Sequence, residues 1–166
     1  MKLKTEIDTF WQNYLGTLPT HQPKPVSYTA WYFGNTARLA EELGTLVAQG
    51  IKTATCSLFW EFEADGEPLP EAGQLSIITD FDGQPLCIIE TIEVQILPYD
   101  QVPAQFAWEE GEGDRSLDYW RQAHWRYFSP TCVRLGREPS EDMPLVCERF
   151  RLMYLDPGRA KKSSTP

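Results

Sequence analysis

WYFGNTARLAEELGTLVAQGIKTATCSL, residues 31–58, passes from helical to strand character within a few positions. Leu39, Leu43, Leu46 and Val47 recur at spacings of three and four and make one apolar stripe, with Asn35 or Thr36 placed to cap the N-terminus of the helix. Gly50 ends that helix, because glycine accepts the left-handed conformation that closes a helix C-terminus. From Ile51 the residues become β-branched and aromatic, and TATCSLFWEFE (53–63) predicts a strand. Lys52 therefore falls at the helix-to-strand junction.

Outward from this junction, Ile7, Phe10, Trp11, Tyr14 and Leu15 stand at helical spacing and predict an amphipathic helix over residues 5–15. Pro19, Pro23 and Pro25 then forbid regular helix and favour an extended strap. On the C-terminal side, QLSIITD (74–80) and QPLCIIETIEVQIL (84–97) predict strands joined at Asp82-Gly83, a hairpin signal. A short helix is expected over 102–108. A longer one should begin near Asp114 to Ser116 and bury Leu117, Trp120, His124 and Phe128, before a last strand, PLVCERFRLMY (144–154). The expected organisation is an N-terminal helix and strap (1–27), one α+β domain (28–155) built as a small mixed barrel with helices outside, and a disordered tail (156–166).

The chain has 166 residues, with 42% apolar and 13% aromatic side chains, ample material for one globular core. Its four cysteines, at 56, 87, 132 and 147, form no C-x-x-C pair, so reduced thiols in a cytosolic protein are expected and no zinc spacing is present. No segment approaches ~20 consecutive apolar residues, which excludes a membrane-spanning helix. A formal net charge of −9 argues against sequence-independent binding to duplex DNA, which needs a broad basic surface. Arginines 115, 121, 126, 134, 137, 149 and 151 nevertheless concentrate in the last third, leaving room for a local basic groove.

The segment 31–58, with its G-x-K element at Gly50, Ile51 and Lys52, resembles the opening of the ASCH family of PUA-like domains. The resemblance continues through AGQLSIITDFDGQPLCIIETIEV (72–94), the acidic FAWEEGEGDRSLDYWRQAH (106–124) and LVCERFRLMY (145–154), and so covers most of the chain. It looks closest to the larger subgroup with an E-G-E-G-D motif. The resemblance implies a PUA-like barrel whose cleft holds a nucleobase, a nucleoside or single-stranded RNA, with no cofactor. Some ASCH proteins hydrolyse the acyl group of N4-acetylcytidine with a Lys, a Thr three residues later and a Glu about fifty residues on; here Lys52 and Thr55 match, and Glu110, with Glu109 next, is the candidate for the third. Others are ribonucleases for single-stranded RNA, and the wider group has been proposed as non-catalytic RNA-binding regulators. Where the small deacylases carry an Arg two positions past the Thr, this chain has Ser57.

The chemistry places its own conditions on these residues. Thr55 as nucleophile needs a base, and Lys52 can be that base only if desolvation lowers its pKa; alternatively Glu110 orients a water or carries a proton to the leaving amine. Lys52 and Thr55 would point oppositely on a flat strand, so a shared site requires Lys52 to reach across from the turn. Plainer readings stand beside each of these. Lys52 can satisfy the end of its helix, and Thr55 can be an ordinary strand residue. WEEGEGD reads more simply as a turn than as a cation site, and His124 reads as a hydrogen-bonded core histidine. Trp31 and Tyr32 can stack on a base or pack the strap, and Arg121 can hold phosphate or sit on a solvated helix face.

Overall fold

The structure, a computed structural model, describes residues 2–155; the expected tail at 156–166 lies outside the described residues. Its contacts divide the chain into two units, the first taking residues up to 50, 73–90 and from 151 on, the second 51–72 and 91–150. The elements are α-helices with both parallel and antiparallel strand pairs, the α+β class expected from the sequence.

In the first unit, helix α1 (Lys2–Thr17) lays Phe10, Trp11 and Tyr14 on Leu75, Ile77 and Ile88, the apolar face that its spacing predicted. Strand β1 (Thr29–Trp31) pairs in parallel with β3 (Leu75–Thr79), and Thr29 and Ser76 share a hydroxyl–hydroxyl bond of 2.8 Å. Only an extended strap was expected there, because three residues behind a Pro-rich stretch give no periodic signal. Helix α2 (Ala37–Ala48) is capped by Thr36, whose Oγ1 accepts the Leu39 N–H, and Gly50 follows at φ +71°. The hairpin at Asp82-Gly83 joins β3 to β4 (Pro85–Pro98), with Asp80 Oδ1 accepting the N–H groups of Asp82 and Gln84.

In the second unit, β2 (Ala54–Leu58) pairs antiparallel with β5 (Pro144–Leu155), placing Thr55 opposite Glu148 and Cys56 opposite Cys147. The strand predicted over 53–63 stops at Leu58, and residues 59–65 form helix α3 (Phe59–Asp65) instead. Gly66, left-handed at φ +66°, closes it, while Trp60 packs on the core and Glu61 and Glu63 reach Arg134 and Arg137. Tertiary contacts outweigh the strand preference of Phe59 and Trp60. Helix α4 (Ala104–Glu110) and helix α5 (Leu117–Arg134) bury Phe106, Trp120 and Phe128 with Leu58, Met143 and Leu145. The α5 cap is Ser116, which accepts the Tyr119 N–H, and Asp114 supports the turn before it by accepting the Ser116 N–H. Among the described residues, no helix is long and apolar enough to cross a membrane.

Candidate functional site

The turn after α4 positions the chemistry of the second unit. Glu109 O accepts the Thr53 N–H at 2.8 Å, and Phe150 N–H donates to Thr53 O at 2.9 Å, fixing the segment that carries Lys52 to α4 on one side and β5 on the other. Gly111 ends α4 at φ +74°, and a Cβ there would stand 2.8 Å from Ile51 O. Gly113 is equally constrained, since its Cβ would enter the Tyr119 ring. Two glycines thus let the chain fold back so that Glu110 and Glu112 flank Lys52. Gly111→Ala combines a left-handed strain with a backbone collision, so a loss of about 1–3 kcal/mol is expected in urea unfolding.

Lys52 is 1% exposed. Its Nζ donates to Glu112 Oε1 at 2.9 Å and lies 3.8 Å from Glu110 Oε2. Glu110, also 1% exposed, faces His124 through a 3.0 Å approach of its Oε2 to Nε2, although neither carboxylate oxygen has a partner in full hydrogen-bond geometry. His124 stacks on Trp120 at 4.3 Å and bonds Trp120 O through Nδ1 at 2.9 Å. A carbonyl only accepts, so Nδ1 carries a proton. Cys56 Sγ, a Glu110 oxygen and a His124 ring nitrogen all lie within 4.8 Å of one another.

The charges support one another against burial. Desolvation pushes the Lys52 ammonium towards neutrality, but Glu110 and then Glu112 outweigh it and hold the pKa above the ordinary lysine value. Desolvation likewise raises Glu110, and Lys52 followed by His124 overcome it, lowering the carboxyl to about 2. Burial depresses His124 while Glu110 raises it, with a net rise. Burial, with Glu110 next, pushes the Cys56 thiol well up. Lys52 is therefore a fixed cation at neutral pH, which is the opposite of what a lysine base requires.

Strand parity separates two of the expected partners. Ala54, Cys56 and Leu58 pack on the core face, so the alternation of β2 sends Thr55 and Ser57 to the other face, where Thr55 sits opposite the buried Glu148. Lys52 lies ahead of the strand and joins the Cys56 side. Thr55 is thus not brought to the Lys52 cluster, whereas Glu110 is. Glu109 is an anchor: besides its carbonyl, its carboxylate accepts Arg149 Nε at 2.6 Å and Gln105 Nε2 at 3.0 Å. Arg121 lines an open depression with Tyr99, Asp100, Trp125 and Arg126. In the first unit, Trp31 packs edge-on against Phe33, and Tyr32, 40% exposed, leans on Phe81. Sequence reasoning weighed Glu112 only as a cation ligand in WEEGEGD, took Cys56 as a reduced thiol and favoured a core role for His124. The E-G-E repeat was the one signal that could have paired Glu112 with Glu110.

Comparison with known proteins follows the same lines. The family model of the ASCH domain matches residues 29–154. A crystal structure of an ASCH domain from Lactobacillus crispatus JV V101 is 37% identical, covers 90% of this chain and 95% of its own, and superposes with a TM-score of 0.85. Protein EF3133 from Enterococcus faecalis V583 is 36% identical over 98% of this chain and 96% of its own, with a TM-score of 0.83. A search of curated proteins finds no match.

Proposed function

Because the chain belongs to the ASCH domain family, we propose that its second unit binds a nucleobase or nucleoside at Lys52 and hydrolyses the exocyclic amide of an N4-acylated cytidine. Membership is consistent with a nucleic-acid or nucleoside role. The observation that carries the finer reading is the fully buried Lys52 ammonium held between Glu110 and Glu112. Burying Lys52, Glu110 and His124 in one cluster is costly, and such clusters concentrate where charge is needed for chemistry.

In this reading Lys52 donates to the acyl carbonyl oxygen and strengthens that bond as the oxygen becomes anionic. Thr55 faces away, so water attacks the carbonyl carbon. Glu112, whose side chain is 19% exposed where that of Glu110 is 1%, takes the proton of the water and passes it to N4 as the C–N bond breaks. Cytidine leaves with acetic acid, which gives up its remaining proton to solvent as acetate. Glu110 and His124 do not carry protons; they hold Lys52 charged and in place.

The test follows cytidine release from N4-acetylcytidine by chromatography. Wild-type protein should release it, and Lys52→Ala and Glu112→Gln should each reduce kcat by about 10²–10³-fold, the usual worth of one such donor or acid–base group. No release above the Lys52→Ala background would remove the hydrolase reading. Cleavage of labelled single-stranded RNA under the same conditions, with the nucleoside untouched, would move the lysine onto phosphate instead.

A further inference from the structure

Cys56 from β2, Glu110 from α4 and His124 from α5 bring a sulfur, an oxygen and a nitrogen donor together inside the second unit, all within 4.8 Å of one another. We infer that these three side chains form a binding site for one thiophilic divalent cation of the zinc class, with a fourth position left for water or ligand. The site shares Glu110 and His124 with the proposed nucleoside site but does not depend on that reading.

Three further observations support it. First, His124 has its Nδ1 proton committed to Trp120 O at 2.9 Å, which directs Nε2 at Glu110 Oε2, 3.0 Å away. Metal-ligating histidines characteristically bond a carbonyl through the other ring nitrogen in this way, fixing tautomer and ring orientation. Second, neither buried Glu110 oxygen has a partner in full hydrogen-bond geometry, and both close approaches, from His124 Nε2 and Lys52 Nζ, are to Oε2. Third, the donor set is that of a zinc site with an open position: bond lengths of about 2.0–2.3 Å place ligand atoms roughly 3.3–3.8 Å apart, within small side-chain adjustments of the spacing here.

The charge balance closes with the metal bound. The ion takes the Cys56 sulfur as thiolate and the His124 Nε2 lone pair, so the dication and Lys52 offset the Cys56 thiolate, Glu110 and Glu112. The thiolate selects zinc or cobalt over magnesium or calcium.

The experiment titrates Co2+ into chelator-treated protein in the absence of any nucleoside, so that its outcome is independent of hydrolysis. A thiolate-to-cobalt charge-transfer band with tetrahedral visible bands should saturate at one equivalent and disappear on adding Zn2+. Cys56→Ser and His124→Gln should abolish the charge-transfer band. Cys147→Ser, which alters the cysteine directly across the strand pair, should keep it. Zn2+ but not Mg2+ should raise the Tm of the wild-type protein, a readout that needs no variant to fold. No saturable band, a band that survives Cys56→Ser, or a Tm unmoved by Zn2+ would overturn the site.

Discussion

Lys52→Met is expected to lower the unfolding free energy by about 3–5 kcal/mol at pH 7, the cost of stripping one partner from a buried ion pair. Methionine fills a similar volume, so little of the loss comes from a cavity. It comes from Glu110, which is 1% exposed and would retain His124 as its cation while losing the ammonium 3.8 Å away. Glu112 would also lose its 2.9 Å bond, though its partial exposure lets water replace it. Urea unfolding measures the difference, with the exposed Lys24→Met as a control expected within about 0.5 kcal/mol. The loss should shrink at pH 4, because in the variant the buried Glu110 can escape its charge by protonating. A loss under about 1 kcal/mol at pH 7 would show that the cluster does not depend on this lysine.

Acid should unfold the protein through Glu110. Its carboxyl lies at about 2 in the folded protein against an ordinary value of 4.5, so its contribution is complete above about pH 4.5 and is lost as pH falls towards 2. At 1.36 kcal/mol per pKa unit, that is on the order of 3 kcal/mol. Glu110→Gln should lack this limb, giving a flatter stability profile between pH 4.5 and 2, even though it is less stable at neutral pH. His124 has the opposite sign. Its folded pKa is raised, so its contribution is complete below about 6.5 and declines as pH rises through the folded value. Stability should therefore peak between the two limbs, and His124→Gln should remove the fall on the alkaline side. Urea midpoints across the pH range test both; an acid limb in Glu110→Gln as steep as in wild type would reject the assignment.

Much of the secondary structure is legible in local periodicity. The apolar stripe of α2, the Asp82-Gly83 hairpin, the long β4 and the face of α5 that buries Trp120, His124 and Phe128 all follow from spacing and turn chemistry. The misses have physical causes. Phe59 to Phe62 are aromatic enough to continue a strand, yet Gly66 supplies a left-handed helix end, and Arg134 at the end of α5 and Arg137 just past it pair with Glu61 and Glu63, so the segment coils. Residues 29–31 gain their strand from β3, a partner about fifty positions away.

The sequence by itself determined that Lys52 sits where a helix gives way to a strand, and it left open whether Lys52 reaches across from the turn to Thr55. Only tertiary structure decided the company Lys52 keeps. Glu110 and Glu112 meet it because Gly111 lets the turn press against Ile51 O and because Thr53 bonds Glu109 O. Cys56 and His124 join because β2 and α5 share one core. Periodicity states which face a residue occupies, whereas the charge on a buried side chain is set by neighbours drawn from distant parts of the chain.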